Sequence, residues 1–362
     1  MESVYHDVSV NPTLRPGTGV FRLYGVGRPL RLFKYVCIGD NRRFFRAGVM
    51  WFKNLRIYRI IEADDISSEE KLQSRLDQHR FQPCARLAAS SSGWVSPAAE
   101  WQSSMLTHTV NGCIMLALRQ DDKVMPAAVI RDMVNEQVSE IQSTQQRKVN
   151  RREKNQLRDE IIQDLLPRAL CKSVKTYAYL VPRDGLLLID AATSQRAEQF
   201  ITRLRDSLGK LTVVPLATKS SPTAMMTEWV AKQFLPADLA FGQDCVLQDP
   251  QQASSVIRCS KIDIVGNELH AHLDAGRQVV RLEMIWDTTL RFLLDSDMVW
   301  RRIRFDNIRD DEAVDYAGND GIDRFDNDFA IMTLVFSRCL QCLLKICGGE
   351  DHSAYPVGEK AA

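Results

Sequence analysis

The stretch VKTYAYLVPRDGLLLIDAATSQRAEQFITRLRDSLGKLTVVPL, residues 174–216, decides the fold class. An apolar strand runs into a Pro182–Gly185 turn, and LLLID follows as a second strand. Residues 194–208 carry apolar positions at helical spacing, Gly209 stops that helix, and LTVVPL is a third strand. Strands and helices interleaved in this way, with tight turns joining neighbouring strands, predict a mixed α+β protein with antiparallel sheets.

Working outward, FKNLRIYRI (52–60) alternates like a strand, and Ser67 with Glu70 reads as a capping box opening a helix through about Arg80. Residues 88–104 are Ser-rich and read as a loop anchored by Trp94 and Trp101. MLTHTVNGCIMLAL (105–118) reads as two strands meeting at Asn111-Gly112, a hairpin signal. Downstream, a short helix is expected at 222–233 with Trp229, and a turn-rich loop at 235–253. A strand in SVIRCSKIDI, a helix at 266–275 and an antiparallel set over 278–305 broken near Asp295–Asp297 come next. A final helix spans 325–347.

Pro126 opens a long helical region with Val129, Ile130, Met133, Val134, Val138 and Ile141 as its apolar stripe. A polar bend at 142–146 leads to RKVNRREKNQLR (147–158), which holds Arg147, Lys148, Arg151, Arg152, Lys154 and Arg158 against the single acid Glu153. On one helix Arg147, Arg151, Lys154 and Arg158 share a stripe, recurring at i, i+4, i+7 and i+11. Like charges stacked this way repel, and a phosphate backbone lying along them relieves the repulsion. The plainer reading is a solvated helix face. Beyond the stripe Leu157, Ile161, Ile162, Leu165 and Leu166 are amphipathic, and Pro167 ends the helix. Two long helices joined by a polar bend make an arm standing off the body.

The chain has 362 residues and a net charge of +1, so anion binding must come from local segregation. Residues 147–175 hold nine Lys/Arg against four Asp/Glu, and residues 305–328 hold nine Asp/Glu against two Arg. The nine cysteines are scattered, mostly in apolar runs, and read as reduced thiols of a cytosolic protein. No uncharged apolar run reaches membrane-spanning length, and 329–347 reads as a buried helix.

Other chemistry finds little support. Cys339-x-x-Cys342 with Cys347 lacks the further ligands of a zinc site and reads as core. His270 and His272 fall on opposite sides of a helix. The carboxylates at 310–328, including Asp326 and Asp328, leave open a metal-dependent nuclease or recombinase, but the EF-hand spacing fails, and a solvated acidic face accounts for them. GVG at 25–27 precedes no βαβ unit. Nucleotide-binding and hydrolase signatures are absent, so no catalytic residue, cofactor or metal is assigned.

MWFKNLRIYR (50–59), LTHTVNG (106–112), LLPRAL (165–170), LGKLTVVPL (208–216), TEWV (227–230) and RFDNDFAIMT (324–333) occur in this order. Together they resemble RdgC, a family of bacterial recombination-associated proteins, from about Met50 to Gly349. The resemblance implies a non-enzymatic DNA-binding protein, a ring-shaped homodimer with a positively charged hole that encircles double-stranded DNA and restrains RecA-mediated strand exchange. It also implies a cytoplasmic, nucleoid-associated location. On this reading Arg147, Lys148, Arg151, Arg152 and Lys154 line the hole, with Arg168, Lys261 and Arg277 as further contacts. Leu170 and Ile262 stand where the family closes its dimer gate with an aromatic residue and an amide, so the latch here would be apolar.

The resulting organisation has residues 1–49 as an extension outside the resemblance, expected to be disordered, with Met50 or a neighbour as the natural start. An N-terminal α/β region (50–125), a helical arm (126–172), a central and C-terminal α/β region (173–349) and a tail (350–362) follow. A purely structural role, with the arm binding a partner helix, is the remaining alternative.

Overall fold

A computed structural model describes residues 51–64, 66, 68–98, 104–236, 238–266, 269–306 and 321–356. The expectations for residues 1–49, Ser67 and Trp101, and for most of the acidic stretch, lie outside these residues.

Two antiparallel sheets organise the chain. The first joins β1 (Arg56–Ala63), β2 (Ser90–Val95), β3 (Thr107–Val110), β4 (Cys113–Lys123), β5 (Cys171–Val181), β6 (Leu186–Ile189) and β7 (Leu211–Pro215). Its order is β2-β4-β5-β6-β1-β7, with β3 also on β4. The second comprises β8 (Leu239–Gln248), β9 (Val256–Cys259), β10 (Gln278–Trp286), β11 (Leu290–Asp295) and β12 (Trp300–Phe305), in the order β12-β11-β10-β8-β9.

The helices are α1 (Glu69–Asp77), α2 (Ala127–Gln145), α3 (Arg151–Leu165), α4 (Ser194–Leu208), α5 (Pro222–Lys232), α6 (His270–Asp274) and α7 (Gly321–Ile346). One face of the first sheet buries Leu116, Leu118, Ala178 and Leu187 against Leu72 and Leu76 of α1 and Phe200 and Leu204 of α4. Its other face turns Met115, Tyr179 and Leu188 into a second core shared with α7 and the second sheet. Because both faces are covered, β6 is the unbroken apolar run LLLI, buried at every position.

Helix α7 serves both sheets. Phe329 meets Tyr179 of β5 edge-on at 5.8 Å, and Phe336 meets Trp300 of β12 edge-on at 5.8 Å. Its Cys339 is fully buried and Cys342 packs against the same core, where burial pushes both thiols up.

Several sequence expectations change here. The Ser-rich 88–104 segment contains a strand, β2, rather than only a loop. Trp94 is fully buried there and its indole nitrogen donates to Ser207 Oγ at 2.8 Å. Gly93 permits this, since a Cβ at that position would lie 2.4 Å from the Phe81 Cα. The turn-rich 235–253 segment contains the ten-residue β8. Helix α1 starts from Ser68, whose side chain makes no capping hydrogen bond, and ends at Asp77. The Asn111-Gly112 hairpin forms as expected, with φ of 50° and 77° at its two turn residues.

The break near Asp295–Asp297 is a tight turn with a charge network. Arg301 Nε and Arg281 Nη2 both donate to Asp295 Oδ2, at 2.6 and 2.8 Å. Arg301 also donates to the Ala192 carbonyl at 2.8 Å, tying the second sheet to the loop after β6. Burial raises the Asp295 carboxyl, but the hydrogen bonds from Arg301 and Arg281 outweigh it and the pKa falls below the ordinary 3.8. A depressed native pKa gives stability that is complete above the unfolded value and is lost as pH falls through the native one. Asp295→Asn should therefore lower stability at neutral pH by about 2 kcal/mol. It should also flatten the acid limb of the stability profile below about pH 4. Urea denaturation across a pH series checks both, and an unaltered acid limb would contradict the assignment.

Candidate nucleic-acid interface

The longest ladder in the first sheet places the basic residues. β4 and β5 pair antiparallel from Ile114↔Leu180 to Lys123↔Cys171. Where neighbouring strands are usually joined by a short turn, this pair is joined by everything from Val124 to Leu170, that is, α2 and α3. The insertion is closed at its base by Val124 N–H donating to the Leu170 carbonyl at 2.8 Å.

Within the insertion α2 and α3 pack antiparallel. Ile130, Val134 and Ile161 are buried against each other, with Met133, Val138, Ile162 and Leu165 around them, as a cluster separate from both sheet cores. Nearer the turn, Lys154 Nζ donates to Asn135 Oδ1 at 3.1 Å. Apolar residues thus occupy the sheet end of the helix pair, and polar and basic ones the turn end.

The continuous four-residue stripe does not form. The chain leaves α2 at Gln146, whose φ is 48°, and re-enters helix only after Asn150. The Asn150 side chain accepts from Glu153 N–H at 2.9 Å and caps α3. Arg147 therefore lies in the bend, where its Nη1 donates to Glu153 Oε2 at 2.7 Å and its Nε to Gln145 Oε1 at 2.7 Å. That pairing raises the Arg147 pKa and lowers that of Glu153. The helical stripe is reduced to Arg151, Lys154 and Arg158. Sequence carried the signal in Asn150-x-x-Glu153, an N-cap pattern that starts a helix at 151. It carried none for the partner Asn135.

Lys148, Arg151, Arg152 and Arg158 are exposed, as is Arg168 in the single 3-10 turn Leu166–Arg168 that holds Pro167. Lys172 and Lys175, on the first residues of β5, are exposed too. The structure so brings Arg147, Lys148, Arg151, Arg152 and Lys154 together at one end of the insertion, with Arg168 at its base.

Lys261 and Arg277 belong elsewhere, to the second sheet. Lys261 follows β9 with a φ of 59°, and its N–H donates to Asp244 Oδ1 at 3.3 Å. Arg277 Nη1 donates to the Ser255 carbonyl, at the other end of β9, at 3.2 Å. The four-residue strand β9, roughly 13 Å long, lies between these two contacts. Leu170, at the base of the insertion, is 81% exposed. Ile262 packs partly against the main core, with its N–H donating to the Gln243 carbonyl at 3.2 Å.

The C-terminal carboxylates are arranged differently. Asp326 Oδ1 lies 2.8 Å from His108 Nε2, within ion-pair distance though not aligned as a hydrogen bond, and the His108 ring meets Phe325 edge-on. A cavity of about 770 Å³ between α7 and β4–β6 is lined by Cys113, Tyr179, Thr333 and Leu334. Arg59 and Arg183 also line it, but none of the basic residues of the insertion, nor Asp326 or Asp328, reaches it. Among the described residues no group of His, Cys, Asp and Glu is placed to hold a metal ion. His270 instead meets Gln233 Nε2 at 2.9 Å.

Residues 50–350 match the family model described as "Putative exonuclease, RdgC". The chain belongs to the RdgC family. It is 35% identical over 302 residues to the recombination-associated protein RdgC of Pseudomonas fluorescens, covering 83% of this chain and 98% of that protein. The RdgC of Pseudomonas aeruginosa is 34% identical over the same shares, and that of Pseudomonas syringae pv. tomato 35%. These relatives carry a recombination-associated name, and the α2–α3 insertion lies wholly inside the matched region.

Asn150→Ala removes the only side-chain cap on α3 and should weaken that helix end by about 1 kcal/mol. Hydrogen exchange should show faster exchange at Glu153 and Lys154 with the β4–β5 amides unchanged. Equal acceleration in the ladder would mean that the insertion and the sheet unfold as one unit.

Proposed function

We propose that the protein is a non-enzymatic, sequence-independent binder of double-stranded DNA that encircles the duplex as a ring-shaped homodimer and limits RecA-mediated strand exchange in recombination. The observation that carries this reading is the exposed set Lys148, Arg151, Arg152 and Lys154 at the turn end of an insertion clamped by the β4–β5 ladder, with Arg158 exposed midway along α3. Membership of a family whose relatives are named recombination-associated supports it.

Guanidinium and ammonium groups neutralise phosphates without reading sequence, and each phosphate contact releases condensed counterions. Residues 147–165 contain no aromatic side chain, so α3 offers no platform for stacking unpaired bases. That favours duplex over single strands. Arg168 extends the basic surface towards the sheet, and Lys261 and Arg277 would add contacts from the second sheet. Arg147 contributes less than its neighbours, because Glu153 already offsets its charge.

The gate is part of the same proposal. An exposed leucine beside the basic insertion suits contact with a second copy, and Leu170 is that residue. Ile262, half-buried against the core, would offer its exposed edge as the other half of an apolar latch. The insertion would then stand as an arm bordering the hole.

The family model's exonuclease description favours one rival, a metal-dependent nuclease using carboxylates of 310–328. It predicts nicking of supercoiled plasmid in Mg²⁺ or Mn²⁺ that disappears in Asp326→Asn.

Affinity for a labelled random-sequence duplex, titrated from about 50 to 200 mM salt, tests the main reading. The expected log–log slope is about −5 or steeper and equal for unrelated sequences. Arg151→Ala with Arg152→Ala should reduce its magnitude by about two. A flat slope, or metal-dependent nicking by the purified protein, would overturn the proposal.

A further inference from the structure

Two cysteines face each other across the edge of the second sheet. In the β8–β9 ladder Cys245 is the register partner of Cys259, so both side chains lie on the same face. Both are thiols in the structure. Cys245 is fully buried in the main core, and Cys259 packs partly against it.

The ladder fixes the spacing of this pair. Asp249 N–H donates to the Ser255 carbonyl at 3.1 Å, which makes 249/255 a hydrogen-bonded pair. Hydrogen-bonded pairs recur at every second position, so 245/259 is one as well. Cα atoms in such a pair lie about 5.5 Å apart, inside the range of about 4.4–6.8 Å that a disulfide spans. The Cβ atoms of a hydrogen-bonded pair, about 5.5 Å apart, must close by about 1–2 Å. β9 can supply that movement: it is the sheet's edge, four residues long and paired only with β8. β8 is held on its other side by β10.

Among the described residues no other two cysteines are opposed in a strand pair. Cys259 is only partly buried, whereas Cys245 is fully buried, so Cys259 is the more accessible of the two thiols.

We propose that Cys245 and Cys259 form a redox modification site, which a hydroperoxide converts to a cross-strand disulfide. The Cys259 thiolate attacks a peroxide oxygen, the O–O bond breaks, and a sulfenic acid forms with release of an alcohol, or of water from hydrogen peroxide. The Cys245 sulfur then attacks the Cys259 sulfur, the S–O bond breaks, and the hydroxyl leaves as water with the Cys245 proton. Two thiols lose two electrons and two protons to one hydroperoxide. Cys245 is fully buried and Cys259 only partly so, which sets the order, with Cys259 oxidised first and Cys245 resolving. Burial also pushes the Cys245 thiol up to about 12.

The bond staples β9 to β8 immediately before Lys261 and Ile262, whose backbone N–H groups already reach Asp244 and Gln243 on β8. Oxidation thus stiffens the segment 256–262. The inference does not depend on DNA binding.

The test uses the full chain, reduced, treated with a small excess of hydrogen peroxide, quenched with N-ethylmaleimide and digested for mass spectrometry. The expected product is a peptide pair joined through Cys245 and Cys259, lighter by two hydrogens than its reduced parts and separated by dithiothreitol. Cys245→Ala should leave a Cys259 sulfenic acid that dimedone traps. Cys259 appearing only as sulfinic acid in the unsubstituted chain, joined to another cysteine, or unmodified while Cys171 oxidises, would overturn the proposal.

Discussion

The β4–β5 ladder is the constraint on which the candidate interface depends. Its register from Ile114↔Leu180 to Lys123↔Cys171 fixes where the chain leaves the sheet and where it must return. Most of an inserted helix pair's stability has to come from packing an amphipathic face, because isolated helices of this length are marginal in water. The α2–α3 pair has only a small cluster around Ile130, Val134 and Ile161 for that purpose. The rest of its order comes from having both ends held a hydrogen bond apart, at Val124 and Leu170. A cluster of like charges at the far end is tolerable on such a support, since repulsion among Arg151, Arg152 and Lys154 acts on a turn rather than on the core.

The ladder is itself held by what covers it. Tyr179 of β5 sits between the sheet and Phe329 of α7, and α7 carries Phe336 onward to Trp300 of the second sheet. Arg301 adds a polar tie between the sheets through Asp295 and the Ala192 carbonyl. Residues that never approach the basic cluster thus decide whether its base is rigid. A core substitution in α7 would act on the interface through the register of β5, not through charge.

Legibility in the sequence followed the range of the interactions. Local signals were readable: Asn111-Gly112 made its hairpin, Ser194–Leu208 its helix and Gly209 its stop, because each is decided within a few residues. The family could also be read, from ordered strings that survive as packing and turn requirements. Strand β2 was hidden because SSSGW is a strand only when Gly93 lies against the Phe81 backbone and Trp94 fills a site made by α4. β8 was hidden for a similar reason, since LAFGQDCVLQ is stabilised by β9 and β10 on either side. In the site, helical spacing put Arg147 on a stripe that the Asn150 cap interrupts. Two local signals competed there, and the cap prevailed because it satisfies a backbone N–H that the stripe leaves open.

Net charge describes this chain poorly, and its distribution explains more. With +1 overall, long-range attraction to a polyanion is weak, and at physiological salt exposed charges act over only about 8 Å. Binding to phosphates would therefore depend on several cations reaching the backbone at once, which places the demand on geometry. A helix pair anchored by strands meets it better than a loop carrying the same residues, because each contact no longer has to order its own side of the interface. Closure of two copies around a duplex would raise the benefit again, since a topological link persists while individual contacts break. The pairing of Arg147 with Glu153 fits that logic: one intramolecular ion pair fixes the bend and leaves Lys148, Arg151 and Arg152 facing outward.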